Sequence, residues 1–236
     1  MNIAVSGALG RMGRRVGLAL KGMEGVNYYM GLVKTEQLDA KDIMAPLSDN
    51  VDNALKTCDV LLDFTSKRRA VELAELCAKV GKPILIGTTG FDSNDFKRLE
   101  CLSKNVAILY APNLTMGAAT LFLHAEELAR HLGHNYDVKV IGIHHNKKKE
   151  IPSGTSVELA RRIQAGRQDK ESPEIASLLA GGAYGVHEIL FASDSEEIRV
   201  SHNVTKPTID YGVLQLSLDW LVENKKGFAT LSEILF

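Results

Sequence analysis

Two hydrophobic rhythms alternate along the first 113 positions. Runs that are apolar almost throughout occur at NIAVSG (2–7), VNYYMGLV (26–33), CDVLLDFT (58–65), PILIGTTG (83–90) and VAILYAPN (106–113). Each is short and closes on a glycine, proline or polar residue, as a strand buried on both faces does. Between them the apolar residues take helical spacing: 11–22 through Met12, Val16 and Leu20, then 68–81 closed by Gly81, then 92–103. Strand and helix in this order predict a parallel sheet with helices on both faces over residues 1–112.

Beyond residue 113 the rhythm changes. A long amphipathic helix is predicted at 116–132, a strand at 136–145 and a helix opening at Ser153. GVHEILFAS (185–193) and EEIRVSHNVT (196–205) read as strands joined by a turn at SDSE, which implies antiparallel pairing. Residues 113–207 are therefore expected to form an α+β domain. The apolar stripe of 211–223 is helical again, and the closing helix region 208–236 is expected to pack back on the first domain. No repeat or low-complexity linker separates the parts.

Charge narrows the partners. The 236 residues carry 29 acidic and 28 basic side chains, so bulk charge favours neither nucleic acid nor a membrane surface. Cys58, Cys77 and Cys101 are scattered and odd in number, which fits reduced thiols better than a disulfide framework. No apolar run approaches the roughly 18 residues of a membrane span, and MNIAVSG runs straight into a strand. A soluble, cytoplasmic protein is expected.

The turn after the first strand is GALGRMG (7–13). Glycines there allow a tight turn and close approach of a pyrophosphate, and the helix that follows offers free N–H groups. A dinucleotide-binding, Rossmann-type domain is the reading. After the second strand come Val33 and Lys34, with Glu36 slightly late and Arg11 and Arg14 nearby. An acid would hold a ribose 2′-hydroxyl, whereas a base tolerates a 2′-phosphate. NADPH is thus favoured and NADH remains open. Gly87-Thr88-Thr89 and Ala111-Pro112-Asn113 also follow strands, where ligands of open α/β sheets bind.

Positive charge concentrates in HHNKKKEIPSGTS (144–156). Ser153 can cap the following helix, leaving Gly154 and Thr155 with unpaired N–H donors; Thr155 and Glu158 also match a capping box two residues later. Either start suits a docked carboxylate. His144 and His145 end a strand, so only one faces a given pocket. A histidine can act as general acid, and a lysine can add fixed charge or a proton. No third ligand is patterned for a metal.

Together these segments resemble the dihydrodipicolinate reductase family. The chain matches its G-x-x-G-R-M-G at 7–13, D-F-T at Asp63-Phe64-Thr65, G-T-T-G at 87–90 and A-P-N-x-S/T-x-G at 111–117. Its H-H-x-x-K-x-D-x-P-S-G-T is matched at 144–155, with Glu150 in place of the acid. The resemblance implies reduction of 4-hydroxy-tetrahydrodipicolinate with NAD(P)H and no metal, in lysine and diaminopimelate biosynthesis. It implies His144 as acid/base and Lys148 as second proton donor, with His145, Ser153, Gly154 and Thr155 on the carboxylates of a small dicarboxylate. The cofactor would lie on Gly7, Ala8, Leu9, Gly10, Arg11, Met12, Lys34, Phe64, Gly87, Thr88, Thr89, Ala111, Pro112, Asn113 and Leu114. A homotetramer built through the second domain is implied as well.

Five positions depart from that pattern: Val33 for an acid, Lys67 for proline, Ala180 for arginine, Val186 for glutamate and Lys206 for arginine. They spare the basic motif. An amino-acid dehydrogenase on the same two-domain plan would keep the glycine loop but not need H-H-x-x-K beside P-S-G-T. A silent NAD(P) sensor would need no proton donors.

Overall fold

The computed structural model describes residues 1–41, 44–149, 151–206 and 208–236. Glu150, the motif's acidic position, lies outside the described residues. Two compact units emerge: Met1–Leu114 with Ile209–Phe236, and Thr115–Thr208.

In the first unit seven parallel strands form one sheet: β1 (Asn2–Ser6), β2 (Asn27–Leu32), β3 (Leu47–Ser48), β4 (Val60–Asp63), β5 (Ile84–Ile86), β6 (Ala107–Tyr110) and, from the C-terminal segment, β11 (Gly227–Thr230). Their order is β11-β6-β5-β4-β1-β2-β3. Order reverses between β1 and β4, the switch point where this class of sheet opens a ligand crevice beyond its carboxyl ends. Helices α1 (Arg11–Lys21), α2 (Val51–Thr57), α3 (Lys67–Val80), α4 (Ser93–Leu102), α7 (Tyr211–Glu223) and α8 (Leu231–Leu235) complete the unit. Strands β4, β5 and β6 are buried throughout, which accounts for their unbroken apolar runs.

The closing segment is not one helix. After α7 the chain turns at Gly227, whose φ is +128°, and adds β11 beside β6 before the short α8. Lys67 also finds a role here. At the start of α3 its Nζ lies 3.1 Å from Asp92 and 3.0 Å from Asp95, the two carboxylates that cap α4.

The second unit holds a four-stranded sheet of order β10-β9-β7-β8, from β7 (Asp137–His144), β8 (Glu174–Leu179), β9 (Gly185–Ala192) and β10 (Glu197–Val204). The β7–β9 and β9–β10 pairs are antiparallel; β7–β8 is parallel. Helices α5 (Met116–Leu132) and α6 (Gly154–Arg167) bury Leu121, Phe122, Leu159 and Ile163 with Val140, Ile189 and Phe191 of the sheet.

Candidate functional site

In the first unit the glycine turn is shaped by backbone contact. Gly7 has φ +76°, and a Cβ there would lie 2.4 Å from the Phe64 carbonyl oxygen. A Cβ on Gly13 would lie 2.2 Å from the Gly7 carbonyl oxygen. The turn is held as Gly7 N–H donates to Leu32 and Gly10 N–H to Gly7. Gly10 then starts α1 with no side-chain cap, so the first-turn amides of Arg11, Met12 and Gly13 are left for an external acceptor. That is the cradle a pyrophosphate requires, and the residues fit the group.

The loops after β4, β5 and β6 converge on the same sheet edge. Asp63 is fully buried; one carboxylate oxygen accepts from the Thr65 hydroxyl and the other from the Thr88 hydroxyl, both at 2.6 Å. Thr88 in turn accepts from the Thr65 N–H at 3.0 Å. Burial pushes the Asp63 carboxyl up, and the two hydroxyls oppose that shift. Phe64 N–H donates to Ser6, Gly87 N–H to Asp63 and Ala111 N–H to Ile86. The Phe64 ring leaves no room for a side chain at Gly87, where a Cβ would sit 2.2 Å away. Sequence reasoning named Phe64 and Thr88 but passed over Asp63 as the knot between them; the acid that closes the buried run VLLD was the available signal.

Ala8 and Ala111 are buried, Leu9, Met12, Thr89, Pro112 and Asn113 half-buried, and Arg11 exposed. Leu114 is buried, its carbonyl accepting from Asp210. Lys34 follows β2 and is exposed, 3.8 Å from Glu36.

In the second unit the basic loop is folded onto a helix start. Ser153 caps α6, accepting from the Ser156 N–H at 3.1 Å, and its hydroxyl is 2.8 Å from that of Ser156. This settles the start at Ser153; Glu158 is instead buried against Arg161 and Arg162. The amides of Gly154 and Thr155 remain in the first turn without intrahelical acceptors, and both residues are half-buried.

His144, 5% exposed, closes β7. The Tyr184 carbonyl accepts a hydrogen bond from its ring, and because Nε2 has no partner among the described residues the bonded nitrogen is Nδ1. Burial pushes the His144 pKa down, and the Lys148 charge and His145 push it further. His145 begins a turn whose carbonyl accepts from Lys148 N–H. Lys148 is half-buried, whereas Lys147 and Lys149 are exposed. The loop is pinned to its neighbour as Ala180 donates to His144 and Asn146 to Gly181. Within this unit, then, a buried imidazole with one free nitrogen, a partly buried ammonium and two free helix amides come together.

Residues 1–114 match the family described as dihydrodipicolinate reductase, N-terminus, and residues 117–235 its C-terminus. The chain belongs to the dihydrodipicolinate reductase family. Its curated relatives include the 4-hydroxy-tetrahydrodipicolinate reductases of Buchnera aphidicola subsp. Baizongia pistaciae, 29% identical over 100% of this chain and 97% of that protein, and of Geotalea daltonii, 28% identical over 100% and 98%. Among solved structures, a dipicolinate-bound dihydrodipicolinate reductase from Paenisporosarcina sp. TG-14 shares the fold with a TM-score of 0.74, at 22% identity over 98% of this chain and 97% of that one. Family membership and fold thus agree with the motifs at both sheet edges. Among the described residues no helix is long and apolar enough to cross a membrane.

Proposed function

We propose that this chain reduces 4-hydroxy-tetrahydrodipicolinate to tetrahydrodipicolinate with NAD(P)H, in lysine and diaminopimelate biosynthesis. The observation that carries the reading is the environment of His144. Its buried ring is anchored through Nδ1, its Nε2 is free, and the α6 start with Lys148 lies in the same loop. A dianion docks on the Gly154 and Thr155 amides and the Thr155 hydroxyl, with Ser153, His145 and Lys148 closing round its carboxylates. Positive charge fixed in place beforehand stabilises the charge that develops on reduction. His144 then delivers a proton from Nε2, and Lys148 serves as second donor.

When bound, the nicotinamide cofactor supplies the hydride. Gly7 to Met12 would hold its pyrophosphate, and Phe64, Gly87 to Thr89 and Ala111 to Leu114 would contact the rest. Lys34, exposed after β2, would pair with a 2′-phosphate, and Glu36 competes for it only across an exposed pair, a contact of small worth. NADPH is the preferred cofactor on that ground, with NADH accepted. No metal takes part.

A homotetramer is part of the proposal. On the sheet face away from α5 and α6, Ile141, Ile143, Val186, Leu190 and the exposed Leu178 stand among the Arg199–Glu188 and Lys139–Glu174 ion pairs, a mixed surface of the kind a second copy covers.

Oxidation of NADPH and of NADH with freshly generated substrate tests the assignment. Wild type should turn over, NADPH the more efficiently, and His144→Ala should lose about two orders of magnitude or more in kcat while still binding cofactor. A wild type that binds cofactor and never consumes it would overturn the reading.

A further inference from the structure

Three histidines follow one another across the helix-covered face of the second unit's sheet. His202 on β10 is paired with His187 on β9, and His187 with Gly142 on β7. His144, two residues beyond Gly142, shares that face. Ring centroids are 5.3 Å apart from His144 to His187, edge to face, and 6.0 Å from His187 to His202, stacked at 15°. His187 is only 3% exposed, and His202 on the edge strand is half-buried.

Among the described residues, four ring nitrogens of this row are buried with no hydrogen-bond partner: His144 Nε2, both nitrogens of His187 and Nδ1 of His202. A neutral imidazole carries one N–H and one lone pair, and leaving such groups unsatisfied costs about 1–3 kcal/mol each. Ordered water is the usual remedy. Glycine backbone stands close against the row. A Cβ at Gly117 would come 2.9 Å from His202 Nε2, one at Gly185 would press on both His187 and His144, and Gly142 faces His144 Nε2. A metal is not what gathers them: among the described residues no group of three or more His, Cys, Asp or Glu is placed to hold one.

We infer that His187 and His202, bridged by water, form the route through which His144 recovers the proton it gives to the substrate. The inference rests on His144 being the general acid, as proposed above. Each turnover leaves Nε2 of His144 with a lone pair in place of a proton, while Nδ1 stays bonded to Tyr184. Once the product has gone, His202 takes a proton from bulk water at one nitrogen and releases its own from the other. His187 repeats the exchange, and Nε2 of His144 is reloaded. One solvent proton enters and no electrons move. The charged and titratable groups around His187 are His144 on β7, His202 on β10 and Lys148 in the basic loop. Their influence and burial push its pKa down to about 3, so His187 passes a proton between its nitrogens and does not store one. His187 and His202 are thus positioning residues that act through His144.

Rapid mixing of cofactor-loaded enzyme with substrate, on the low-pH plateau of the measured kcat/KM profile, separates this role from packing. In His187→Phe the first turnover should stay within about twofold of wild type, while steady-state kcat falls about tenfold or more and recovers with added imidazole. A wild-type steady-state rate, or a loss that strikes the first turnover equally and is deaf to imidazole, overturns the inference. If His187→Phe does not fold, His202→Phe on the edge strand is judged by the same criteria. Absence of any turnover in wild type overturns the reductase reading itself and is thereby distinguished.

Discussion

The ring of His144 is held by one nitrogen and offers the other, and its protonation is set by what surrounds it. Burial, Lys148 and His145 all favour the neutral form. The general acid proposed here works only while protonated, so kcat/KM should fall as pH rises through this lowered pKa. Removing the ammonium raises it again. Lys148→Gln is therefore expected to lower kcat yet move the descending limb of kcat/KM to higher pH; a limb that stays put would show that the Lys148 charge does not act on His144. Dianion binding has the same sign, so the limb of kcat should lie above that of kcat/KM. At the other sheet, Gly13→Ala puts a methyl into the Gly7 carbonyl and should weaken cofactor binding about tenfold or more, read by titration of cofactor fluorescence. The motif residues were legible because glycine loops and H-H-x-x-K have fixed spacings. The partners of Asp63 and the roles of His187 and His202 were not, since Asp63 reads in the sequence only as part of D-F-T, the histidines stand beside other polar residues on their strands, and only the fold shows what each faces.

Elements with strong periodicity stand where the pattern puts them: α5 and α7 end to end, and the central strands within a few residues. What the pattern missed is short or weakly marked. β3 has two residues, α2 is seven mostly polar ones capped by Asn50, and β8 follows a charged stretch on the sheet edge. β11 gains its strand character only by pairing with β6. The start of α6 was open between Ser153 and Thr155, and the two make different predictions. Ser153→Ala should cost about 1 kcal/mol of stability by loss of the cap, seen in denaturant melts. Thr155→Ala should leave stability nearly unchanged and raise KM for the substrate. The reverse outcome would move the helix start.

For the molecule as a whole, the histidine row makes stability depend on pH. His187 has a folded pKa of about 3 against about 6.5 when unfolded. Its contribution is therefore complete above the unfolded value and is lost as pH falls from there toward the folded one, because the unfolded chain takes up the proton. Burial lowers His144 and His202 in the same direction. Wild type should thus lose more melting temperature than His187→Phe between about pH 7.5 and pH 4.5. Equal losses would mean that the row does not stay neutral in the fold. The sheet face away from α5 and α6 makes a second prediction at this scale. If the proposed tetramer forms through this face, Ile143→Asp should reduce it to smaller species in sedimentation, with little change in cofactor binding.

The first unit is assembled from two stretches that lie 94 residues apart in the gene, since Thr115–Thr208 intervenes. During synthesis the second unit is complete on the ribosome before the first can be. Until Gly227–Thr230 emerges, β6 waits as an open edge, and Phe96, though it meets Phe91 and Tyr110, lacks its further ring contact with Phe228. A nascent chain stopped at residue 208 should accordingly associate through that edge and accumulate insoluble. The last 28 residues thus act as a delayed clasp, and slow or truncated translation near the 3′ end of the message should harm the cofactor-binding unit first.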